Sequence, residues 1–187
     1  MKIAISGLTG CGNSTASKLV AEALGLKRFN YTFHNLAEDL DVPFASLHAM
    51  ADSNPKYDLL LDKKQIEFAL ANGGCVVGTR LAVFLEEIAP KLGMQKPRFD
   101  LRVWLQAPLQ TRAERVAERD ARGFENAMKE VVYRDDSNRT RYKRLYGIAY
   151  EMPKGCLRID NENLDAAKTA EKIIAAAEKL QAKSRKG

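Results

Sequence analysis

Lys2-Ile3-Ala4-Ile5-Ser6-Gly7-Leu8-Thr9-Gly10-Cys11-Gly12-Asn13-Ser14-Thr15 is the stretch on which the fold turns. Residues 2–6 are short and apolar-rich, with two isoleucines, and predict a strand. Asn13 to Leu24 puts Leu19, Val20, Ala23 and Leu24 along one side, which predicts an amphipathic helix stopped at Gly25. Between them, Gly7, Leu8, Thr9, Gly10, Cys11, Gly12, Asn13, Ser14 and Thr15 match the phosphate-binding template G-x-x-x-x-G-K-[ST] at every position but one: Asn13 stands where the template has lysine. Glycines in such a loop let successive N–H groups turn inward around an anion, and the following helix adds its positive end. Ser14 is the hydroxyl that would meet Mg²⁺. The bland alternative is a tight strand-to-helix turn capped by Ser14 or Thr15. The position of the match, after the first strand and before a helix, favours phosphate. Asn13 leaves two readings open. One is a weak nucleotide binder. The other is a kinase whose charge stabilisation comes from arginines elsewhere.

Working outward, strands alternate with helices. Lys27 to Tyr31, Cys75 to Thr79, Leu101 to Leu105 and Cys156 to Asp160 predict further strands. Helices are expected from Pro43, over Tyr57–Ala71, over Arg80–Ala89 with a stop at Pro90, from Pro108 to about Arg122, from about Glu125 to Leu145, and over Asp165–Ala182. This alternation predicts an α/β fold: a parallel sheet of about five strands with helices on both faces. The 187 residues show no repeat, linker or composition break, so one domain is expected over 1–187.

Composition narrows the classes. The longest apolar runs are too short to span a bilayer. No leader segment is apparent, which makes the cytoplasm the expected compartment. Cys11, Cys75 and Cys156 are odd in number and far apart, and His34 and His48 are few and separated; neither set suggests a metal site. The net charge of +6 suits an anionic ligand. Arginines gather between Arg112 and Arg144, and a small basic tail occupies about 183–187. No interleaving of aromatic and basic residues speaks for a nucleic-acid partner. A monomer acting on small molecules is the expectation.

Ile3 to Leu24, Asp58 to Gln65, Gly78 to Ala82 and Leu101 to Gly147 together resemble the archaeal-type cytidylate kinases, a branch of the P-loop nucleoside monophosphate kinases. Members of that branch often carry threonine in place of the loop lysine. The resemblance implies a helical lid at about 112–145, an acceptor-binding helical part at about 32–72, ATP as donor, Mg²⁺, and CMP or dCMP as acceptor. Gly78-Thr79-Arg80-Leu81-Ala82 is similar to the family's GRLA stretch, which implies Arg80 as the holder of the acceptor phosphate, unless it is a helix-start arginine in solvent. Leu105-Gln106-Ala107-Pro108-Leu109 with Arg112, Arg115 and Arg119 is similar to the family's LxAPxxxRxxRxxxR pattern. Arg115 and Arg119 share a helix face and would enter the lid, unless they pair with Glu114 and Glu118. Arg134 to Tyr142 looks like the lid-exit helix. Arg134, Arg139 and Arg141 are candidates to touch the transferring phosphoryl, Arg134 and Arg141 first. Asp58 and Asp62, one turn apart, fall in the segment resembling the acceptor-site helix. Asp62 would accept from a base amino group, or else be a surface carboxylate beside Lys63 and Lys64. One stretch departs from the family. Phe29 to Ala37 is shorter than usual and carries Tyr31-Thr32-Phe33-His34. This keeps AMP or a non-nucleotide open as acceptor. A ribosome-associated factor using ATP as a switch is the remaining rival.

Overall fold

The computed structural model describes residues 1–184. The basic tail expected at 183–187 lies, from 185 onward, outside the described residues. Five strands form one parallel sheet in the order β2-β3-β1-β4-β5: β1 Lys2–Gly7, β2 Lys27–Arg28, β3 Cys75–Gly78, β4 Leu101–Gln106 and β5 Leu157–Asp160. The helices are α1 Asn13–Leu24, α2 Phe33–Asp39, α3 Phe44–Ser53, α4 Lys56–Ala71, α5 Leu85–Lys91, α6 Leu109–Arg119, α7 Phe124–Tyr146 and α8 Ala166–Ser184, with a 3₁₀ turn at Ala82–Phe84.

Alternation along the strands builds two apolar layers. Ile3, Ile5, Val76, Val103 and Leu105 pack on one face with residues of α1 and α8, Val20, Ala170 and Ile173 among them. Ala4, Val77 and Trp104 point the other way, toward Ile66, Ile88, Tyr142 and Tyr150. Both faces are covered, so the strands are almost continuously apolar. A small cluster of Val116, Ala127 and Val131 joins α6 to α7. The chain builds β2 and β3 on one side of β1 before crossing to β4 and β5 on the other. The crevice above the end of β1 is therefore the topological switch point, where open α/β sheets bind ligands.

Several local expectations are corrected. The second strand is only Lys27–Arg28, although the Phe29 N–H still reaches the Val76 carbonyl at 2.9 Å. Within the helical part expected at about 32–72, Phe33–Asp39 is a helix that no local pattern marks; Phe33, Leu36 and Ala37 bury against Leu47 and Ala51, so tertiary packing supplies what local pattern does not. Thr79 to Leu81 is not helical, and Pro90 lies inside α5. The helix ends one residue after Pro90, so the missing N–H removes only one bond. Helix α6 stops at Arg119 rather than Arg122.

Candidate active site

The glycine loop joins the end of β1 to the start of α1. Gly10 and Gly12 hold φ of 83° and 87°, a region costly for other residues. A Cβ on Gly10 would also meet the Arg112 carbonyl oxygen at 2.6 Å. The first helical hydrogen bond runs from the Ala16 N–H to the Gly12 carbonyl. The N–H groups of Asn13, Ser14 and Thr15 therefore have no acceptor within the helix, as at any helix start.

What makes this loop more than a turn is how its carbonyls are held. Gly7 O accepts from the Tyr150 hydroxyl at 2.9 Å and from Asn13 Nδ2 at 3.0 Å. Thr9 O accepts from Arg112 Nη1 at 2.8 Å, and Cys11 O from Asn161 Nδ2 at 2.9 Å. The Thr9 N–H donates to Asp135 Oδ1 at 3.0 Å, and Asp135 Oδ2 faces Arg112 Nη1 at 2.7 Å. Side chains from α6, α7 and the segments flanking β5 thus fix the rear of the loop and leave the helix-start amides for an anion. Cys11 is buried, and burial pushes its thiol up to about 11, so it is a packing group rather than a nucleophile.

The loop borders a cavity of about 1110 Å³. Leu8 to Ala16 form its floor, and Asn161, Leu164, Asp165, Ala166 and Thr169 close one end. Tyr31, Thr32, Phe33, Asp58, Leu61, Asp62, Gln65 and Tyr142 close the other, with Arg80, Arg115, Arg119, Arg122 and Arg134 around it. Gly7 supports the loop from behind and is not part of the wall.

Asp58 and Asp62 are each 3% exposed, which overturns the surface-carboxylate alternative. Asp62 accepts from Gln65 Nε2 at 2.9 Å and from the Tyr146 hydroxyl at 2.6 Å. The Thr79 hydroxyl donates to Gln65 Oε1 and fixes which way that amide faces. Burial, and then the Asp58 charge, push the Asp62 carboxyl up to about 7, against the lowering effect of Tyr146, Arg141 and Gln65.

The arginines sort differently from expectation. Arg80, Arg115, Arg119 and Arg134 reach the cavity. Arg139 and Arg141 do not. Arg141 lies seven residues past Arg134, about 10 Å further along the same stripe of α7, and meets Asp58 at 3.0 Å behind the wall. Arg139 is turned to solvent, with Asp136 at 2.9 Å. Arg115 does not pair with Glu114 or Glu118. Its Nη2 donates to the carbonyls of Asn161 at 2.6 Å and Leu164 at 3.1 Å. Arg119 binds the neighbouring Asp120, and Glu130 bridges Arg122 and Arg134. Burial, and the nearby charges of Arg80 and Arg119, lower the pKa of Arg134, with Glu130 opposing them. Arg134 thus sits in the positive field of two other guanidiniums, which an anion would relieve. Among the described residues, no three His, Cys, Asp or Glu side chains gather as metal ligands. A divalent ion arriving with a polyphosphate and taking the exposed Ser14 hydroxyl fits this donor set, since Mg²⁺ commonly uses few protein ligands plus phosphate oxygens.

Sequence reasoning missed Asp135, Asn138, Tyr150 and Asn161. Asn161 had one usable signal: it directly follows a strand of a parallel sheet and so lands on the same edge as the loop.

Comparison with known proteins agrees with this geometry. Residues 2–155 match the model of the cytidylate kinase-like family. A cytidylate kinase 2 from Borrelia garinii subsp. bavariensis is 30% identical over 178 residues, 92% of this chain and 94% of that one. A cytidylate kinase from Pyrococcus horikoshii is 36% identical over 148 residues, covering 78% and 71%. Among solved structures, a deoxyadenosine kinase from M. mycoides with dCMP and dCDP aligns with a TM-score of 0.57 at 19% identity, covering 96% of this chain and 100% of that one. A shikimate kinase from Aquifex aeolicus gives 0.58 at 14%, covering 95% and 96%. These two similarities concern the fold.

Proposed function

The chain belongs to the cytidylate kinase-like family and is a nucleoside monophosphate kinase, and from that premise we propose that it moves the γ-phosphoryl of ATP to CMP or dCMP with Mg²⁺. The observation that carries the reading is one cavity with phosphate-loop amides on its floor, buried carboxylates at one end and arginines between. At about 1110 Å³ it exceeds the roughly 300–1,000 Å³ of an ordinary small-molecule site, as two substrates require.

The donor polyphosphate lies along the loop with the helix-start amides of Asn13, Ser14 and Thr15 toward it, and the nucleoside toward Asn161, Leu164 and Thr169. Mg²⁺, when bound at the Ser14 hydroxyl, neutralises charge on the β- and γ-phosphates. Asn13 has no charge to offer; its amide closes the loop onto the Gly7 carbonyl, and Arg80, Arg119 and Arg134 supply the positive field instead. The acceptor phosphate is already largely ionised near neutral pH, so no base is needed. Arg80 holds it in line with the donor. The base lies between Tyr31 and Phe33 on one side and Asp58 and Asp62 on the other. As pH rises through about 7 and Asp62 ionises, it offers only acceptors there, which suits the cytosine amino group and repels the uracil O4. Of the hairpin expected as the lid at 112–145, Arg112, Asp135 and Arg141 are held to the body, while Glu130 and the small α6–α7 cluster tie together the end between Arg119 and Arg134, which on closing excludes water from the transfer. Residues 32–72 form the acceptor-binding part of a single domain. Unpaired Cys11, Cys75 and Cys156 suit a reducing cytoplasm, and we take the working unit to be a monomer.

AMP also carries an amino group, and Tyr31 and Phe33 would stack on any base, so AMP is the second reading. Turnover of MgATP with CMP, dCMP, UMP, AMP and no acceptor separates them. Transfer to CMP or dCMP at least tenfold above UMP and AMP is expected. Preference for AMP selects the second reading, and transfer to none of them ends both.

A further inference from the structure

The arginines of this site have two kinds of partner. Arg112 meets Asp135 at 2.7 Å and Arg141 meets Asp58 at 3.0 Å, both inside the protein. Arg119 and Arg134 likewise face Asp120 and Glu130. Arg115 goes to backbone carbonyls at the rim of the cavity, and Arg80 is likewise held by neutral groups. Its Nη1 donates to Asn138 Oδ1 at 2.9 Å, and it also bonds the Tyr142 hydroxyl. Both partners are neutral, and the carboxylate of Asp58 nearby is engaged by Arg141. The charge of Arg80 is thus left to the cavity it lines.

Asn138 itself needs an explanation. It is 2% exposed, yet among the described residues its Nδ2 has no hydrogen-bond partner. A buried amide with its donor unmet is a costly way to fill space, and an apolar side chain would do so better. A carboxylate would bind the guanidinium more strongly. What the amide alone does is fix the direction of the guanidinium without cancelling its charge. Arginine has no acceptor, so the amide must turn its oxygen toward Arg80 and strand its nitrogen.

We propose that Asn138 is a positioning residue that aims Arg80 at the acceptor phosphate while leaving its charge for that phosphate. This rests on the reading of Arg80 as holder of the acceptor phosphate. The test is calorimetric binding of CMP and of cytidine, which lacks the phosphate, to the full chain and to R80A, N138D and N138A. N138D keeps the size of the side chain and places a carboxylate against Arg80. It weakens CMP by roughly tenfold and leaves cytidine within twofold, because only the phosphate competes for the guanidinium. N138A keeps the charge but loses the aim, and weakens CMP by about threefold with cytidine unchanged. R80A lowers the preference for CMP over cytidine at least as far as N138D. Should R80A leave that preference intact, the reading of Arg80 fails. Should R80A lower it while N138D does not, or should N138D weaken cytidine as much as CMP, the role of Asn138 is overturned. If N138D does not fold, N138A decides: an unchanged preference rejects the proposal.

Discussion

Removing Asp135 tests whether the loop is held from behind. Its side chain is 4% exposed and that of Arg112 7%, with 2.7 Å between them. D135A leaves the Arg112 charge buried without its counter-ion, which costs about 3–5 kcal/mol. The Thr9 N–H loses its acceptor as well, adding about 1 kcal/mol. For a chain of this length the combined loss of about 4–6 kcal/mol lowers the midpoint of thermal unfolding by roughly 8–24 °C. D135N, which can still accept from Thr9, loses less. R112A strands the carboxylate instead, and R112A/D135A removes both charges, so the double variant costs at least about 2 kcal/mol less than the sum of the two singles. Thermal and urea unfolding of the four variants measures this, repeated with MgATP to read how much nucleotide protection survives a loosened Thr9. D135A within about 1 kcal/mol of the parent, or a strictly additive double variant, would refute the brace.

Asp62 predicts a pH dependence with a definite sign. Its folded pKa of about 7 lies above the unfolded value near 3.9, so its stabilising contribution is complete below about pH 4 and is lost as pH rises through 7, by at most about 4 kcal/mol. D62N cannot titrate, and its stability relative to the parent should rise from pH 4 to 7 in urea unfolding; parallel pH profiles would contradict the burial argument. N13K should bind MgATP roughly five- to tenfold more tightly by calorimetry, because a charge-assisted phosphate bond outweighs the lost bond to Gly7 O, which keeps Tyr150. Unchanged or weaker binding would mean that the position does not face phosphate.

The elements were legible where local chemistry is strong. Asn13 to Leu24, bounded by Gly12 and Gly25, is helical over the span its pattern predicts, and the apolar strands of the sheet fall where their runs lie. Helix α2 was not legible, because Phe33 and Leu36 earn helical order only by burying against α3. The arginines show the same division. A list of guanidiniums on α6 and α7 is readable from spacing, but spacing does not say which carboxylate each will meet.

A parallel sheet with a glycine loop at its switch point is already written in the order of residues, since glycine freedom, strand alternation and helix periodicity are local properties of the chain. Packing, and nothing earlier, brings Arg141 to Asp58 across 83 positions, sets Arg112 and Asp135 behind the loop, and gives Arg80 an amide rather than a carboxylate. Charge pairing depends on distances of a few ångströms between segments far apart in the chain, and those distances exist only once the layers have packed.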